Sequence, residues 1–368
     1  MMNIQDLLHE MIDRNASDLF IKAGSPPNMR VDGTVSRCDH DILTVEDMLA
    51  VAREVMTEKQ LEIFESTMEM DLALGIPGVA RFRVNCYKQR GSIGMVFRHI
   101  SGSVLSFEEL NLPSAIKGLS NEPRGLTLVT GTTGSGKSTT LAMMIQHINA
   151  TRQCHIVTVE DPIEFLHKDQ MSIISQREVG FDTNDFSAAL KHVLRQSPDV
   201  ILIGEMRDLE TIQTAIQSAE TGHLVFSTLH TLDAVQTVER VINYFPAYLH
   251  SQIRMEMALS LNGVISQRLM QKANRMGRIP AIEIMICTPT IKKLLLEGRT
   301  MELPEYIEGG GHVGMQSFNQ SLLNLYQNKL ITMEDALETA SSSDEFKLKA
   351  EGITSGSGSS YSGGGDYL

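Results

Sequence analysis

The sequence predicts an α/β protein in two parts: a small α+β domain over residues 1–100, then a parallel α/β domain that ends in a helical region. Three observations predict it. The chain has 368 residues, which at about 150 per domain makes room for two or three. Its composition, 42% hydrophobic and 21% charged, is that of an ordinary globular protein with enough apolar mass for a real core. From Leu126 onward, short apolar runs alternate with long helical stretches, the pattern of βαβ units around a buried sheet.

The first part reads in order as follows. Ile4 to Arg14 places Ile4, Leu7, Leu8, Met11 and Ile12 on one helical stripe. Ser17 to Ile21 is a short strand, broken by Gly24-Ser25-Pro26-Pro27. Met29 to Val35 is a hairpin turning at Asp32-Gly33. Thr44-Val45-Glu46-Asp47 resembles a capping box that opens a helix running to about Thr57. Val79 to Tyr87 alternates apolar and polar residues as a half-buried strand does, and Ser92 to Ile100 is another. Residues 101–113 form the expected linker, with a capping box at Ser106–Glu109 that predicts a short helix.

In the second part the expected strands are Leu126–Thr130, His155–Val159, Val200–Ile203 and His223–Thr228. The expected helices are Lys137–Asn149, Asp185–Arg195, Leu209–Ala219 and Ala234–Phe245, and after Met255 the chain reads as mainly helical. The boundaries drawn are 114–290 for the α/β domain, 291–351 for the helical region and 352–368 for a tail. That tail holds six Gly and five Ser, the composition of a flexible spacer.

Charge and cysteines narrow the classes of function. The net charge of −13 argues against general nucleic-acid binding, which depends on neutralising phosphates. No apolar run approaches 18 residues, so no membrane-spanning helix is expected. The first residues, with Asp6, Glu10 and Asp13 among the apolar ones, do not read as a signal peptide. Cys38, Cys86, Cys154 and Cys287 are scattered without zinc spacing and are expected as reduced core thiols.

The chemistry is concentrated in one motif. Gly131-Thr132-Thr133-Gly134-Ser135-Gly136-Lys137-Ser138 has the G-x-x-x-x-G-K-S pattern between an expected strand and helix. Its glycines let backbone N–H groups converge on phosphate oxygens at the helix start. Lys137 brings a cation to the β- and γ-phosphates and Ser138 a hydroxyl to Mg²⁺, with Thr139 in the next position. Glu205 ends the apolar strand after Ser197-Pro198-Asp199 and is the expected second metal ligand. Glu160 ends the His155 strand, where it either orients the attacking water or caps the following turn. His223 and His230 bracket a strand, as structural residues or as a phosphate sensor or inter-subunit contact. Arg81, Arg83 and Arg98 lie on first-domain strands, with Arg81 and Arg83 opposite Phe82 and Val84. They are either a solvated face or arginine fingers.

The segments GTTGSGKSTT, VTVEDPIEF, SPDVILIGEMRD and TGHLVFSTLH, in that order, resemble the Walker A, Asp box, Walker B and His box of secretion and pilus ATPases. SDLFIKAGSPPNMRVDG and ARFRVN resemble the PilT/PilU branch, the twitching-motility or pilus-retraction ATPases. The resemblance runs from about Ile4 to Ile353. It implies an N-terminal PAS-like domain, a RecA-like P-loop ATPase domain and a ring-shaped homo-hexamer. It also implies catalytic roles for Glu160, Glu205, His223, His230 and the three arginines, with ATP and Mg²⁺ bound at 131–139. Domain closure on ATP would bring those arginines to the γ-phosphate. Assembly and type II secretion ATPases usually add an N-terminal domain and a four-cysteine zinc motif, and neither is in this sequence. Phe20 stands where many relatives have His, and the retraction-linked AIRNLIRE segment is Thr290–Glu297 here, with Lys292 keeping a charge and Leu296 losing one.

The expected function is an ATPase motor for type IV pilus retraction at the cytoplasmic face of the inner membrane. Its partners would be an inner-membrane pilus platform protein and a paralogous retraction ATPase, with membrane association only through partners and no nucleic acid. The alternatives are an accessory retraction paralogue, an assembly or type II secretion ATPase, a nucleic-acid translocase and a nucleotide-gated module without turnover.

Overall fold

A computed structural model describes residues 3–31, 33–76, 80–100 and 106–351. Asp32 of the expected hairpin turn, Val79 at the start of an expected strand, linker residues 101–105 and the tail at 352–368 lie outside these. The chain divides into two compact units. One takes the described residues up to 100 with Asp161–Lys168 and Arg177–Asp185; the other takes 106–160, Asp169–Gln176 and the chain from Phe186 onward.

The first unit opens with α1 (Ile4–Asp13), whose N-cap Asn3 accepts from the Gln5 N–H. It buries Ile4, Leu7, Leu8 and Met11 of the expected stripe, with Ile12 half-buried against the same core. Strands β1 (Asp18–Lys22), β2 (Asn28–Val31) and β3 (Thr34–Arg37) follow. Then come α2 (Val45–Val55) and α3 (Glu58–Thr67). Both helices start with a full capping box, Thr44 with Asp47 and Thr57 with Gln60. The second box starts a separate helix beyond the one expected to end near Thr57. Strands β4 (Glu69–Ile76), β5 (Ala80–Gln89) and β6 (Ser92–Ile100) complete an antiparallel sheet in the order β3-β2-β1-β6-β5-β4. Phe82, Val84 and Cys86 of β5 are fully buried with Phe97, Leu19 and Phe64.

The second unit contains α4 (Ser114–Ser120), β7 (Gly125–Thr130), α5 (Lys137–Thr151), β8 (His155–Glu160) and β9 (Ile173–Glu178). The last two residues of β9 group with the first unit. Next come α6 (Phe186–Val193), β10 (Val200–Ile203), α7 (Leu209–Glu220), β11 (Leu224–Leu229), α8 (Ala234–Asn243) and α9 (His250–Ser260). The order of the seven-stranded sheet is β13-β12-β7-β11-β10-β8-β9. Its outer pair, β12 (Leu261–Gln271) and β13 (Arg278–Ile286), corrects the expectation of a mainly helical chain after Met255. The cause is burial: β12 runs parallel beside β7 with Val264, Ile265 and Ser266 all buried. A strand covered on both faces shows no alternation to read. The chain continues as α10 (Pro289–Glu297), α11 (Leu303–Gly309), α12 (Phe318–Gln327), α13 (Met333–Thr339) and α14 (Ser343–Ala350). Phe318, Leu322 and Phe346 pack with Met270 and Ile279. At Ser106–Glu109 both capping-box hydrogen bonds form, but the segment makes a turn and no helix. No described helix is long and apolar enough to cross a membrane.

Candidate nucleotide-binding site

β7, β8, β10 and β11 are parallel in register, so their carboxyl ends share one sheet edge. The P-loop leaves β7 there. Gly131 has φ 138°, and a Cβ at this position would lie 2.4 Å from the Gln267 carbonyl and 2.6 Å from Ser135 Oγ. Only glycine lets the chain pass so close to β12. Gly134 and Gly136 also take positive φ, and Gly136 caps α5 without any side-chain hydrogen bond. The first N–H groups of α5 are thus not claimed by a side-chain cap. Lys137 is buried, and its Nζ donates to the carbonyls of Gly131 (2.8 Å) and Thr132 (3.0 Å). The ammonium is folded back over its own loop, where phosphate oxygens would be met. Ser135 Oγ is buried with no hydrogen-bond partner among the described residues, and Ser138 and Thr139 are half-buried. An orphaned hydroxyl, an uncapped helix start and a loop-bound cation fit a polyphosphate.

Two carboxylates flank this loop's edge. The four residues of β10 are all buried, and Gly204 follows. Its N–H donates to the Val159 carbonyl at 2.7 Å. A Cβ there would sit 3.2 Å from Glu160 Cα and 3.3 Å from that carbonyl. The ends of β10 and β8 therefore close together, with Glu205 beside Glu160. Glu160 Oε1 accepts from Thr158 Oγ1 (2.6 Å) and Gln176 Nε2 (3.3 Å). Glu205 is gripped at both oxygens, by Arg207 at 2.9 Å and by His230 Nε2 at 3.1 Å. Burial pushes its carboxyl upward, but the hydrogen bonds and charges of Arg207 and His230 outweigh that and hold it below the usual range. Arg207 was not among the expected site residues, although its place two positions past Glu205 in the quoted motif was the signal available. Gln267, whose Nε2 donates to Thr140 Oγ1 at 2.8 Å, had no signal because its strand was not recognised.

His223 is not brought to this edge. It precedes β11 beside Gly125, its carbonyl accepting from the Gly125 N–H, while its Nδ1 lies 2.9 Å from the Ser218 carbonyl. With about 3.3 Å per strand residue, His223 and His230 stand roughly 20 Å apart at opposite ends of β11. The three candidate arginines of the first unit each have a carboxylate. Arg81 donates to the buried Glu178 at 2.9 Å. Arg98 and Arg30 both hold Asp18, at 2.9 and 3.1 Å, and Arg83 lies 3.9 Å from Asp71. Register makes Arg83, Arg98, Asp18 and Arg30 direct neighbours along one row across β5, β6, β1 and β2.

Beside the P-loop, a cavity of about 300 Å³ is lined by Ser135, Gly136, Thr139 and Thr140 together with residues of β12 and β13. A larger one, about 520 Å³, is lined by Glu205, Arg207, His230 and the α8 residues Gln236, Glu239 and Arg240.

A mainly parallel sheet with a phosphate loop at its carboxyl edge and acids at the ends of two adjacent strands defines a P-loop nucleotide-binding protein. The chain belongs to the type II/IV secretion system protein family, which matches residues 1–305, and within it to the PilT/PilU branch. It is 47% identical to the type IV pilus retraction ATPase PilT of Pseudomonas aeruginosa, over 94% of this chain and 100% of that protein. It is 42% identical to the type IV pilus ATPase PilU of the same organism, over 94% and 91%. A crystal structure of the pilus retraction motor PilT with bound ADP superimposes with a TM-score of 0.88 at 43% identity, covering 94% of this chain and 99% of that one.

Proposed function

We infer that this chain hydrolyses ATP to ADP and phosphate and that the work drives type IV pilus retraction. The observation that carries this is the placing of Glu205 and Glu160 on neighbouring strand ends at the sheet edge that bears the P-loop, in a chain so similar to PilT. The N–H groups of residues 131–136 and the Lys137 ammonium take the β- and γ-phosphates, with Thr139 in the first helical turn beside them. Ser138 and Glu205 offer the hard oxygen ligands that suit Mg²⁺, which when bound neutralises phosphate charge. Glu160, held by Thr158 and Gln176, orients or deprotonates the attacking water. His230 and Arg207 set the direction of the Glu205 carboxylate. His223, at the far end of β11, is assigned to a contact between subunits. Arg81, Arg83 and Arg98 serve the γ-phosphate only by exchanging their present carboxylates for it.

The working form we propose is a homo-hexamer at the cytoplasmic face of the inner membrane, acting on a pilus platform protein and alongside a paralogous ATPase. The domain limits of 1–100, 114–290 and 291–351 belong to the same proposal. Glu205→Gln should still bind ATP but release phosphate about 10²-fold more slowly; wild-type turnover would remove Glu205 from the mechanism. A deletion strain should keep or gain surface pili, counted by electron microscopy, and lose twitching. Bare cells would overturn retraction in favour of assembly. Normal pili with partial twitching would assign the accessory role, in keeping with the similarity to PilU.

A further inference from the structure

Glu160, to which the base role is assigned above, stands where β8 ends and an irregular stretch begins. From Asp161 to Asp169 the chain forms neither helix nor strand. The sheet holds the chain up to Val159, whose carbonyl takes the Gly204 N–H at 2.7 Å. Beyond that point β9 supplies the hold. Residues two apart on a strand share a face, and Gln176 and Glu178 are such a pair. Gln176 Nε2 donates to Glu160 Oε1 at 3.3 Å, and Glu178 Oε2 accepts the Ile163 N–H at 3.2 Å. One face of β9 therefore grips the segment Glu160–Ile163 at both ends.

Glu178 is fixed firmly enough to act as an anchor. Its N–H donates to the Asp182 carboxylate at 2.9 Å and its carbonyl accepts the Asp182 N–H at 2.8 Å. The backbone is thus tied into the turn that follows β9. Both Glu178 and Ile163 are buried, so water does not compete for their hydrogen bond. The same Oε2 also accepts from Arg81 Nη2 at 2.9 Å. A guanidinium often meets a carboxylate through two parallel bonds, but Arg81 Nε is buried with no partner among the described residues. The carboxylate oxygen that Arg81 does reach is shared with the Ile163 N–H. Its charge makes it a stronger acceptor for that N–H than a neutral oxygen would be.

We propose that Glu178 is a positioning residue for ATP hydrolysis: by fixing the Ile163 N–H it sets the direction in which Glu160 meets the attacking water, and Arg81 acts through it. The proposal rests on the reading of Glu160 as the base, and the experiment separates the two. Phosphate release by the full-length protein is measured beside calorimetric ADP affinity, both with Mg²⁺. The variants are Glu178→Ala, Glu178→Gln, Glu160→Gln and the double variant Glu160→Gln/Glu178→Ala. A misplacement of about 1 Å at a reacting group can cost on the order of 10²-fold, so Glu178→Ala should lose about tenfold or more in kcat while KM and ADP affinity stay within about twofold. Retained ADP binding also reports that the variant is folded. Glu178→Gln keeps an acceptor for the Ile163 N–H and should recover most of the rate. Because Glu178 acts through Glu160, the double variant should be no slower than Glu160→Gln alone. Wild-type kcat in Glu178→Ala beside a slow Glu160→Gln would overturn the proposal and leave the Glu160 reading standing. Losses that multiply in the double variant would overturn it too. So would an ADP affinity that falls in step with kcat in both Glu178 variants, since the residue would then serve only the fold. Wild-type turnover in Glu160→Gln would instead overturn the Glu160 reading itself, and the proposal with it.

Discussion

The two sheets treat their charged residues in opposite ways. In the antiparallel sheet of the first unit, charges sit mid-strand on a solvated face and are neutralised across the strands. Arg83 and Arg98 are directly opposed, an unfavourable like-charge pair. Asp18, almost fully buried, compensates by taking Arg98 on one side and Arg30 on the other. In the parallel sheet of the second unit, β7, β10 and β11 are wholly buried. Charged side chains have no place along such strands and collect past their carboxyl ends. There Glu205 meets Arg207 and His230, on the sheet edge that also bears the uncapped start of α5 and the orphaned Ser135 hydroxyl. The first arrangement satisfies its charges within the unit, and the second leaves binding capacity for a ligand.

The largest effect should come from breaking the second arrangement at its cation. Lys137→Ala should abolish phosphate release, by about 10³-fold or more on the scale of lost phosphate-stabilising charges, and weaken ATP binding. Near wild-type turnover would mean that the edge is not a phosphate site. Gly204→Ala tests the closeness of the strand ends, because its Cβ would press on backbone that cannot swing away. Overpacking of this kind costs roughly 1–3 kcal/mol, and the Glu160–Glu205 geometry should suffer with it. A urea midpoint and a phosphate-release rate both unchanged would show that the strands separate freely.

Asp18→Asn sharpens the contrast from the other side. It would leave Arg30 and Arg98 in one row with Arg83 while the anion that those two share is gone. Removing one partner of a buried pair costs about 3–5 kcal/mol, but both arginines are partly exposed, so a loss nearer 2 kcal/mol is expected. Phosphate release per folded molecule should not change. A loss of turnover without loss of stability would show that Asp18 acts in catalysis.

Glu283 on β13 is the exception within the second unit, a carboxyl inside the fold. Burial pushes it up to about 7, against the hydrogen bond from the Ala234 N–H; Asp233 adds to the rise and Arg268 opposes it. A carboxyl raised in the folded state favours folding below its unfolded pKa of 4.5 and loses that contribution as pH climbs through about 7. Stability attributable to Glu283 should therefore fall between pH 4.5 and 7. Glu283→Gln should flatten that part of a denaturation profile, and an unchanged slope would place the titration elsewhere. The smallest effect is expected for Arg98→Ala. This side chain is 68% exposed, Asp18 keeps Arg30, and the opposition to Arg83 is relieved. The change should lie within about 0.5 kcal/mol, and a shift above that would show that the row is coupled more tightly than its exposure implies.

The site was more legible than the fold around it. The P-loop sequence and the strand ends that bear Glu205 and Glu160 could be read from the chain, because a phosphate loop demands its residue types at fixed spacing and buried strands are continuous apolar runs. Strands Val200–Ile203 and Ser92–Ile100 fall where they were expected. What was missed follows from two causes. β12 and β13 carry apolar residues on both faces, so their pattern has no period to distinguish strand from helix. α3 was overlooked although its Thr57–Gln60 capping box was plain to read, since the apolar stripe of α2 ran up to it without a break.

Local sequence by itself determined the phosphate loop, its glycine torsions, the helix caps and the buried strands, because each depends on residues within one turn or one run. It could not determine which strands are neighbours, and every pairing of distant residues followed from that. Tertiary structure alone decided that Gln267 lies under Gly131, that Arg207 and His230 share Glu205, and that His223 stands at the wrong end of β11 for them. It also decided that Glu178 takes the Ile163 N–H and Arg81 on one oxygen. The reason is physical: strand order and register are set by burying the whole apolar surface at once, and no single segment carries that information.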